Sequence, residues 1–221
     1  MAGTVFSGEK KLSKAGEMLT EDAPLEVRGK DHPWVSRGGV KLAHGLEHFG
    51  FDVTGAIALD VGSSTGGFTD VLLTKGAAKV YAVDVGTNQL AWKLRKDPRV
   101  VVLEQTNARY LTSEQIPEPV DVVTCDASFI SLYKVLESPL KLARARAKLV
   151  ALVKPQFEAG RDEVGKGGVV RDPAVHERVC AAAADWVASQ GWRVLGTTES
   201  PITGPEGNVE FLLGAEKIGD S

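Results

Sequence analysis

The stretch from Ala56 to Phe68, AIALDVGSSTGGF, decides the fold. A short apolar run ends in Asp60 and turns through a Gly/Ser/Thr loop into what reads as a helix. Such a strand–loop–helix junction holds adenosine-containing cofactors at the carboxyl edge of a parallel sheet. In the dinucleotide fingerprint G-x-G-x-x-G, the second glycine lets the backbone approach a pyrophosphate closely. Aligning Gly62 and Gly67 as first and third glycines puts Ser64 at that middle position, where a side chain crowds a diphosphate. An adenosine cofactor without phosphates suits the loop better, and S-adenosylmethionine is the common one. Taken by itself, the loop is equally compatible with a tight turn in any α/β protein.

Composition excludes several classes. A chain of 221 residues suits one large domain, or one with a small appendage. Hydrophobic residues at 43% and charged residues at 25% are ordinary for a soluble fold. No apolar run approaches the roughly 20 residues that span a bilayer. The opening MAGTVFSGEKKLSK lacks the apolar core of a signal peptide, so a cytoplasmic protein without membrane partners is expected. Cys125 and Cys180 lie in apolar contexts without C-x-x-C spacing, which suggests neither a disulfide framework nor a metal site. His44 and His48 share i, i+4 spacing without an acidic partner and read as helix surface. The net charge of −3 gives no global nucleic-acid signal. Locally, Lys134, Lys141, Arg144, Arg146 and Lys148 stand against Glu137 alone, either a solvated helix face or a phosphate-contacting one.

Strand and helix signals alternate along the chain. Residues 1 to 31 are polar and turn-rich, with a β-like run at Pro24 to Arg28, and Asp31-His32-Pro33 reads as a linker. Val40 to Phe49 is an amphipathic helix stopped by Gly50. Ile57 to Val61, Lys79 to Val85, Arg99 to Leu103, Val120 to Asp126 and Leu149 to Lys154 read as buried strands. Gly67 to Lys75 is expected as the helix after the first strand, and a helix through Ala147 follows the fourth. Pro173 to Gln190 reads as a long helix capped by Asp172. Trp192 to Thr197 and Val209 to Gly214 close the chain, joined by ESPITGPEGN without a helix, so they pair antiparallel. The expected fold is α/β: a Rossmann-like, mostly parallel seven-stranded sheet with one antiparallel edge hairpin strand and helices on both faces. That is the usual shape of methyltransferases that use S-adenosylmethionine.

Ligands of open α/β sheets bind outside the carboxyl ends of the strands, so polar residues there are informative. Asp84 ends the second strand, where a carboxylate accepts hydrogen bonds from both ribose hydroxyls, with Val85 beside it. Asn107 and Ala108 lie just past the third strand, within reach of an adenine edge. Asp126 ends the fourth strand and Lys154 the fifth. Adjacent strands lie about 4.8 Å apart, so both side chains reach one reacting centre. Lysine in a partly desolvated pocket can serve as a base while a carboxylate orients it, which favours methyl transfer to an oxygen nucleophile. Methylation of an exocyclic base amine more often relies on an Asn/Asp-Pro-Pro-Tyr loop, and here that loop reads Asp126-Ala127-Ser128-Phe129.

The segment Ser36 to Leu42, SRGGVKL, resembles the opening of the FtsJ-type ribose 2′-O-methyltransferases. DVGSSTGGFTD, YAVDVG, TNARYL, CDASFISL, VKPQFEAGRDEVGKGGVVRDP and SPITGPEGNVEFLL resemble the TlyA branch of that family, often called haemolysins. The resemblance runs from about Lys30 to about Leu213. It implies S-adenosylmethionine as cofactor, held by Asp60, Gly62, Ser63, Ser64, Thr65, Gly66, Gly67, Phe68, Asp84, Val85, Asn107, Ala108 and Asp126. It implies a Lys-Asp-Lys-Glu catalytic tetrad at Lys41, Asp126, Lys154 and Glu210, with Lys154 as the residue that receives or displaces the 2′-hydroxyl proton. On residue pattern alone, Lys41 reads as a helix-surface lysine and Glu210 as an edge-strand charge.

The implied substrate is ribosomal RNA or ribosomal subunits, at cytidine, with no metal. Residues 1–31 resemble the second half of the family's alpha-L RNA-binding domain, 32–35 its linker and 36–221 the methyltransferase domain. Half such a domain, ~30 residues, is too short to build its own core, which implies weaker RNA affinity than in a relative with the whole domain. The segment from Lys134 to Lys148, the loop from 154 to 171 and the N-terminal segment would contact phosphates. Two other functions remain open at this point. One is an RNA-binding or ribosome-assembly module without activity. The other is the haemolysin of the older name, for which the sequence offers no spanning helix and no alternating barrel strands.

Overall fold

Near-continuous apolar runs can satisfy their backbone only when both faces of the sheet are covered, and that dictates the layering here. The computed structural model describes residues 5–12, 18–20, 22–27 and 32–219. Two units result, Met1–Pro33 and Trp34–Ser221. In the first, β1 (Val5–Ser7) pairs antiparallel with β2 (Lys10–Lys11) and β3 (Leu25–Val27), giving the order β2-β1-β3. Arg28 of the expected β-like run and Asp31 of the expected linker lie outside the described residues.

The second unit opens with α1 (Gly38–His48), then β4 (Ile57–Val61), α2 (Gly67–Thr74), β5 (Lys79–Val83), α3 (Trp92–Arg95) and β6 (Val100–Leu103). After a 3-10 turn at Ala108–Tyr110 come β7 (Val120–Cys125), α4 (Leu132–Lys141), β8 (Ala143–Val153) and α5 (Pro155–Glu158). The chain closes with α6 (Pro173–Ser189), β9 (Trp192–Glu199) and β10 (Phe211–Lys217). The seven-stranded sheet runs β6-β5-β4-β7-β8-β10-β9. β10 is antiparallel to both its neighbours, and every other pairing in this sheet is parallel.

Period-two alternation along β4 sends Leu59 and Val61 to one face and Ala58 and Asp60 to the other. The first face builds a core with α4 and α6, through Val135, Leu136, Val179, Ala183 and Val187. The second builds another with α1 and α2, through Leu42, Leu46, Val71 and Leu72. The Asp172 side chain accepts from Ala174 N at 2.9 Å and caps α6, as its sequence signature predicts.

Two expectations are corrected. The helix predicted through Ala147 stops at Lys141, and β8 begins at Ala143. The run Ala143-Arg-Ala-Arg-Ala-Lys148 alternates with period two, a strand signal that the density of charge obscured. The five basic residues therefore do not share a helix. Secondly, Glu210 precedes a strand bracketed by β8 and β9, so it is an interior charge and not an edge one. Among the described residues, no helix is long and apolar enough to cross a membrane.

Candidate active site

Every polar residue picked out at a strand end arrives at the same edge of the sheet. In spatial order these are Asn107 after β6, Asp84 after β5, Gly62 after β4, Asp126 after β7, Lys154 after β8 and Glu210 before β10. The β4–α2 loop forms the middle of this edge. Gly62 has φ +78°, and a Cβ there would lie 2.9 Å from Ala127 N, so only glycine lets the β4 and β7 loops pass so closely. Gly67 opens α2 against the chain before α1, where a Cβ would meet Ser36 Oγ at 2.3 Å. Ser64 takes a left-handed conformation (φ 46°) and donates its N–H to Asp84 Oδ2 at 2.8 Å. Gly86 N donates to the other Asp84 oxygen, also at 2.8 Å. The Asp84 carboxylate is thus fixed by two backbone donors, while each oxygen keeps a second lone pair.

Two cavities meet at this edge. One, of about 460 Å³, is lined by Val83, Asp84, Val85, Thr106, Asn107, Ala108, Phe129 and Ile130 among others. The other, of about 380 Å³, is lined by Lys41, Ser63, Thr65, Gly67, Phe68 and the segment Ile202–Glu206 among others. Gly62, Ser64 and Asp126 line both, so the two spaces share a wall. Asp60 and Gly66 line neither. Gly66 turns against Leu90 and Leu94. Asp60 is fully buried beneath α2, where it accepts from Thr69 Oγ1 at 2.7 Å and Thr124 Oγ1 at 3.0 Å. Asp60 thus stands beneath the loop, beside the helix start, and lines neither cavity. Burial is the main cause pushing its carboxyl up to about 7, against the two hydroxyl donors that favour ionisation.

At the shared wall lie two ion pairs, Lys41–Glu210, which is buried, and Lys154–Asp126, whose carboxylate is partly exposed to the cavities. Lys154 Nζ stands 2.6 Å from Asp126 Oδ1, donates to Ser128 Oγ at 2.8 Å and approaches Asp126 O at 3.4 Å. The ammonium thus meets a carboxylate, a hydroxyl and a carbonyl from the same strand-end loop. Lys41 Nζ bonds Glu210 Oε2 in a close contact, and Gln156 Nε2 donates to Glu210 Oε1 at 3.3 Å. Lys41 and Lys154 are 8% and 6% exposed and Glu210 is 1% exposed, so these charges are held by partners and not by water.

The pairs belong together by register. Phe211 pairs with Val153, so one step further Glu210 stands opposite Lys154, with Cβ atoms of such positions about 5 Å apart. Sequence pattern alone missed Lys41 and Glu210. The signal available was Lys41's place on the buried face of α1, with Leu42 and Gly45.

Two long-range contacts shape the site further. Glu158 accepts from Leu132 N at 2.6 Å and Ser131 Oγ at 2.8 Å, tying the start of α4 to the KPQFE segment. Phe129, 91% exposed and at φ 64°, leans on the Phe157 ring at 5.1 Å between centroids. A bulky residue in that conformation is strained, and such residues cluster at functional sites. Cys125, by contrast, is buried and its thiol is pushed up to about 12, which leaves it inert.

With the geometry in place, comparison with known proteins is direct. Residues 34–217 match the model of the FtsJ-like methyltransferase family. The 16S/23S rRNA (cytidine-2′-O)-methyltransferase TlyA of Mycobacterium tuberculosis is 54% identical over 213 residues, 96% of this chain and 80% of that protein. Hemolysin A of Brachyspira hyodysenteriae is 41% identical over 213 residues, 96% of this chain and 88% of that one. A solved structure from Streptococcus thermophilus that carries a haemolysin name superposes with TM-score 0.86 at 44% identity, covering 99% of this chain and 80% of that one.

Proposed function

The chain belongs to the FtsJ-like methyltransferase family, and on that premise we propose that it methylates ribose 2′-hydroxyls of ribosomal RNA, at cytidine, with Lys154 as the central base. One observation carries the reading: the cavity that presents the fixed Asp84 carboxylate shares a wall, which includes Asp126, with a second space lined by Lys41, and Lys154 pairs with Asp126 from behind that wall. S-adenosylmethionine, the methyl donor of the enzyme, supplies an electrophilic sulfonium methyl when bound. The residues present fit it. Asp84 offers two acceptors for a ribose diol, Val85, Ala108 and Ile130 offer apolar walls for an adenine, and Asn107 would meet the adenine edge. A cavity of about 460 Å³ is of the size that takes such a molecule.

The hydroxyl nucleophile is poor until it loses its proton. Lys154, held by Asp126 and Ser128, receives that proton in its neutral form and so becomes the ammonium that pairs with Asp126, while Asp126, on the shared wall, orients both lysine and hydroxyl. Lys41 and Glu210 neutralise one another beside this pair. Phe129 offers an exposed ring on which an unstacked base of the RNA can lie. Residues 1–31 serve as the RNA-binding portion, joined through 32–35 to the methyltransferase domain. Trp34, packed over Gly39, anchors that junction on the domain's side.

The deciding experiment is transfer of labelled methyl groups to intact ribosomal subunits and to naked ribosomal RNA, with mass mapping of the product. A 2′-O-methylated cytidine is expected. Label on a base, or no transfer to any RNA, overturns the reading.

A further inference from the structure

The edge of the sheet opposite the site carries a second cluster of charge. Where β8 begins, Val120 pairs with Ala143 but Val122 pairs with Lys148, so β8 bulges outward there. Arg146 lies within the bulge at φ 62°, a conformation that side chains other than glycine seldom adopt. A cavity of about 390 Å³ opens at this point, lined by Asp52, Thr54, Asp121, Arg144, Arg146 and Lys148 among others.

The two acids there are already engaged. Asp121 accepts from Ile57 N at 2.8 Å and pairs with Arg144 Nε at 3.0 Å. Asp52 accepts from Thr54 N at 2.9 Å, and that bond is the main cause holding its carboxyl below the ordinary range. Lys148 donates to Asp52 O and lies over the Phe51 ring at 5.5 Å. Arg144 and Lys148 are thereby positioned by their own neighbours. Among the described residues the Arg146 side chain takes part in no hydrogen bond or ion pair, and the residue is exposed. Three bases face two engaged acids, which leaves a net positive pocket with one uncommitted planar fork.

We propose that this pocket binds a phosphate, and that in the working enzyme the phosphate belongs to the backbone of the RNA substrate. The assignment to RNA rests on the function proposed above; the phosphate chemistry does not. Arg146 lies eight residues along β8 from Lys154, so the contact is roughly 20–25 Å from the reacting ribose. Such a contact holds folded RNA in register without touching the chemistry.

The test uses the full chain with intact ribosomal subunits and, separately, inorganic phosphate. Arg146→Gly removes the guanidinium and also suits the backbone conformation, so the variant is expected to fold; Arg146→Lys keeps the charge. Arg146→Gly should weaken subunit binding about fivefold and lower the slope of log affinity against log salt by about 0.9, the value for one phosphate contact. It should raise KM for the subunit with kcat and S-adenosylmethionine affinity unchanged, and Arg146→Lys should restore most of the loss. Identical affinity and slope in wild type and Arg146→Gly overturn the RNA assignment. Phosphate that binds wild type and not Arg146→Gly, with subunit binding unmoved, shows a free-anion site and likewise overturns it. If wild-type protein binds no RNA at all, the proposed function fails by that control, and the phosphate titration then decides the pocket alone.

Discussion

The two edges of the large sheet carry similar numbers of charges and use them in opposite ways. At the carboxyl edge, Lys41, Lys154 and Glu210 are buried, and each holds a partner across a long sequence separation. At the amino edge, Lys79–Glu118 and Arg144–Asp121 are partly solvated. A buried charge deprived of its partner has no water to turn to, whereas an exposed one is rehydrated. The carboxyl edge is thus where a charge can do chemistry, because the protein and not the solvent sets its surroundings. At the amino edge water shares that task, and the proposed phosphate contact of Arg146 would need no more than an exposed charge held in place.

The sharpest way to break this comparison is Lys154→Ala, which should lower kcat at least a hundredfold in a labelled methyl-transfer assay, with S-adenosylmethionine binding kept. Wild-type turnover in that variant would remove Lys154 from the chemistry. Glu210→Ala leaves the Lys41 ammonium buried alone and should cost about 3–5 kcal/mol in urea unfolding.

Asp60 offers a pH-dependent test. Its folded carboxyl keeps its proton to about pH 7, while the unfolded chain releases it near the ordinary aspartate value of 3.8. The stability this contributes is full below the unfolded value and is lost as pH rises through the window up to about 7. At ~1.4 kcal/mol per unit the loss amounts to ~4 kcal/mol, and Asp60→Asn, which cannot ionise, should flatten the profile of unfolding free energy against pH. Asp84→Ala should weaken S-adenosylmethionine by about ten- to a hundredfold in calorimetric titration; unchanged affinity would remove the ribose assignment. The smallest effect belongs to the other edge. Glu118→Ala should leave the urea unfolding midpoint close to that of wild type, and a loss as large as that of Glu210→Ala would erase the distinction between the edges.

Much of this was legible in the residues. β4 begins and ends where its apolar run does, and the Gly/Ser/Thr loop, the α6 cap and the polar residues at four strand ends all follow from local period and turn chemistry. The misreadings have equally local causes. Charge density at 144–148 hid a period of two, and a glutamate next to an apolar strand gave no hint of where that strand would lie.

What the sequence determined by itself was the alternation of strands and helices, the kind of cofactor loop and the carboxyl-edge positions of Asp84, Asn107, Asp126 and Lys154. These depend on neighbours a few residues away. Only the tertiary structure decided that β10 inserts between β8 and β9, bringing Glu210 to Lys41 across 169 positions and opposite Lys154. It alone buried Asp60 under α2 and capped α4 with Glu158. Burial and long-range pairing arise from how whole faces pack, and no local pattern encodes which distant charge will share a dry space.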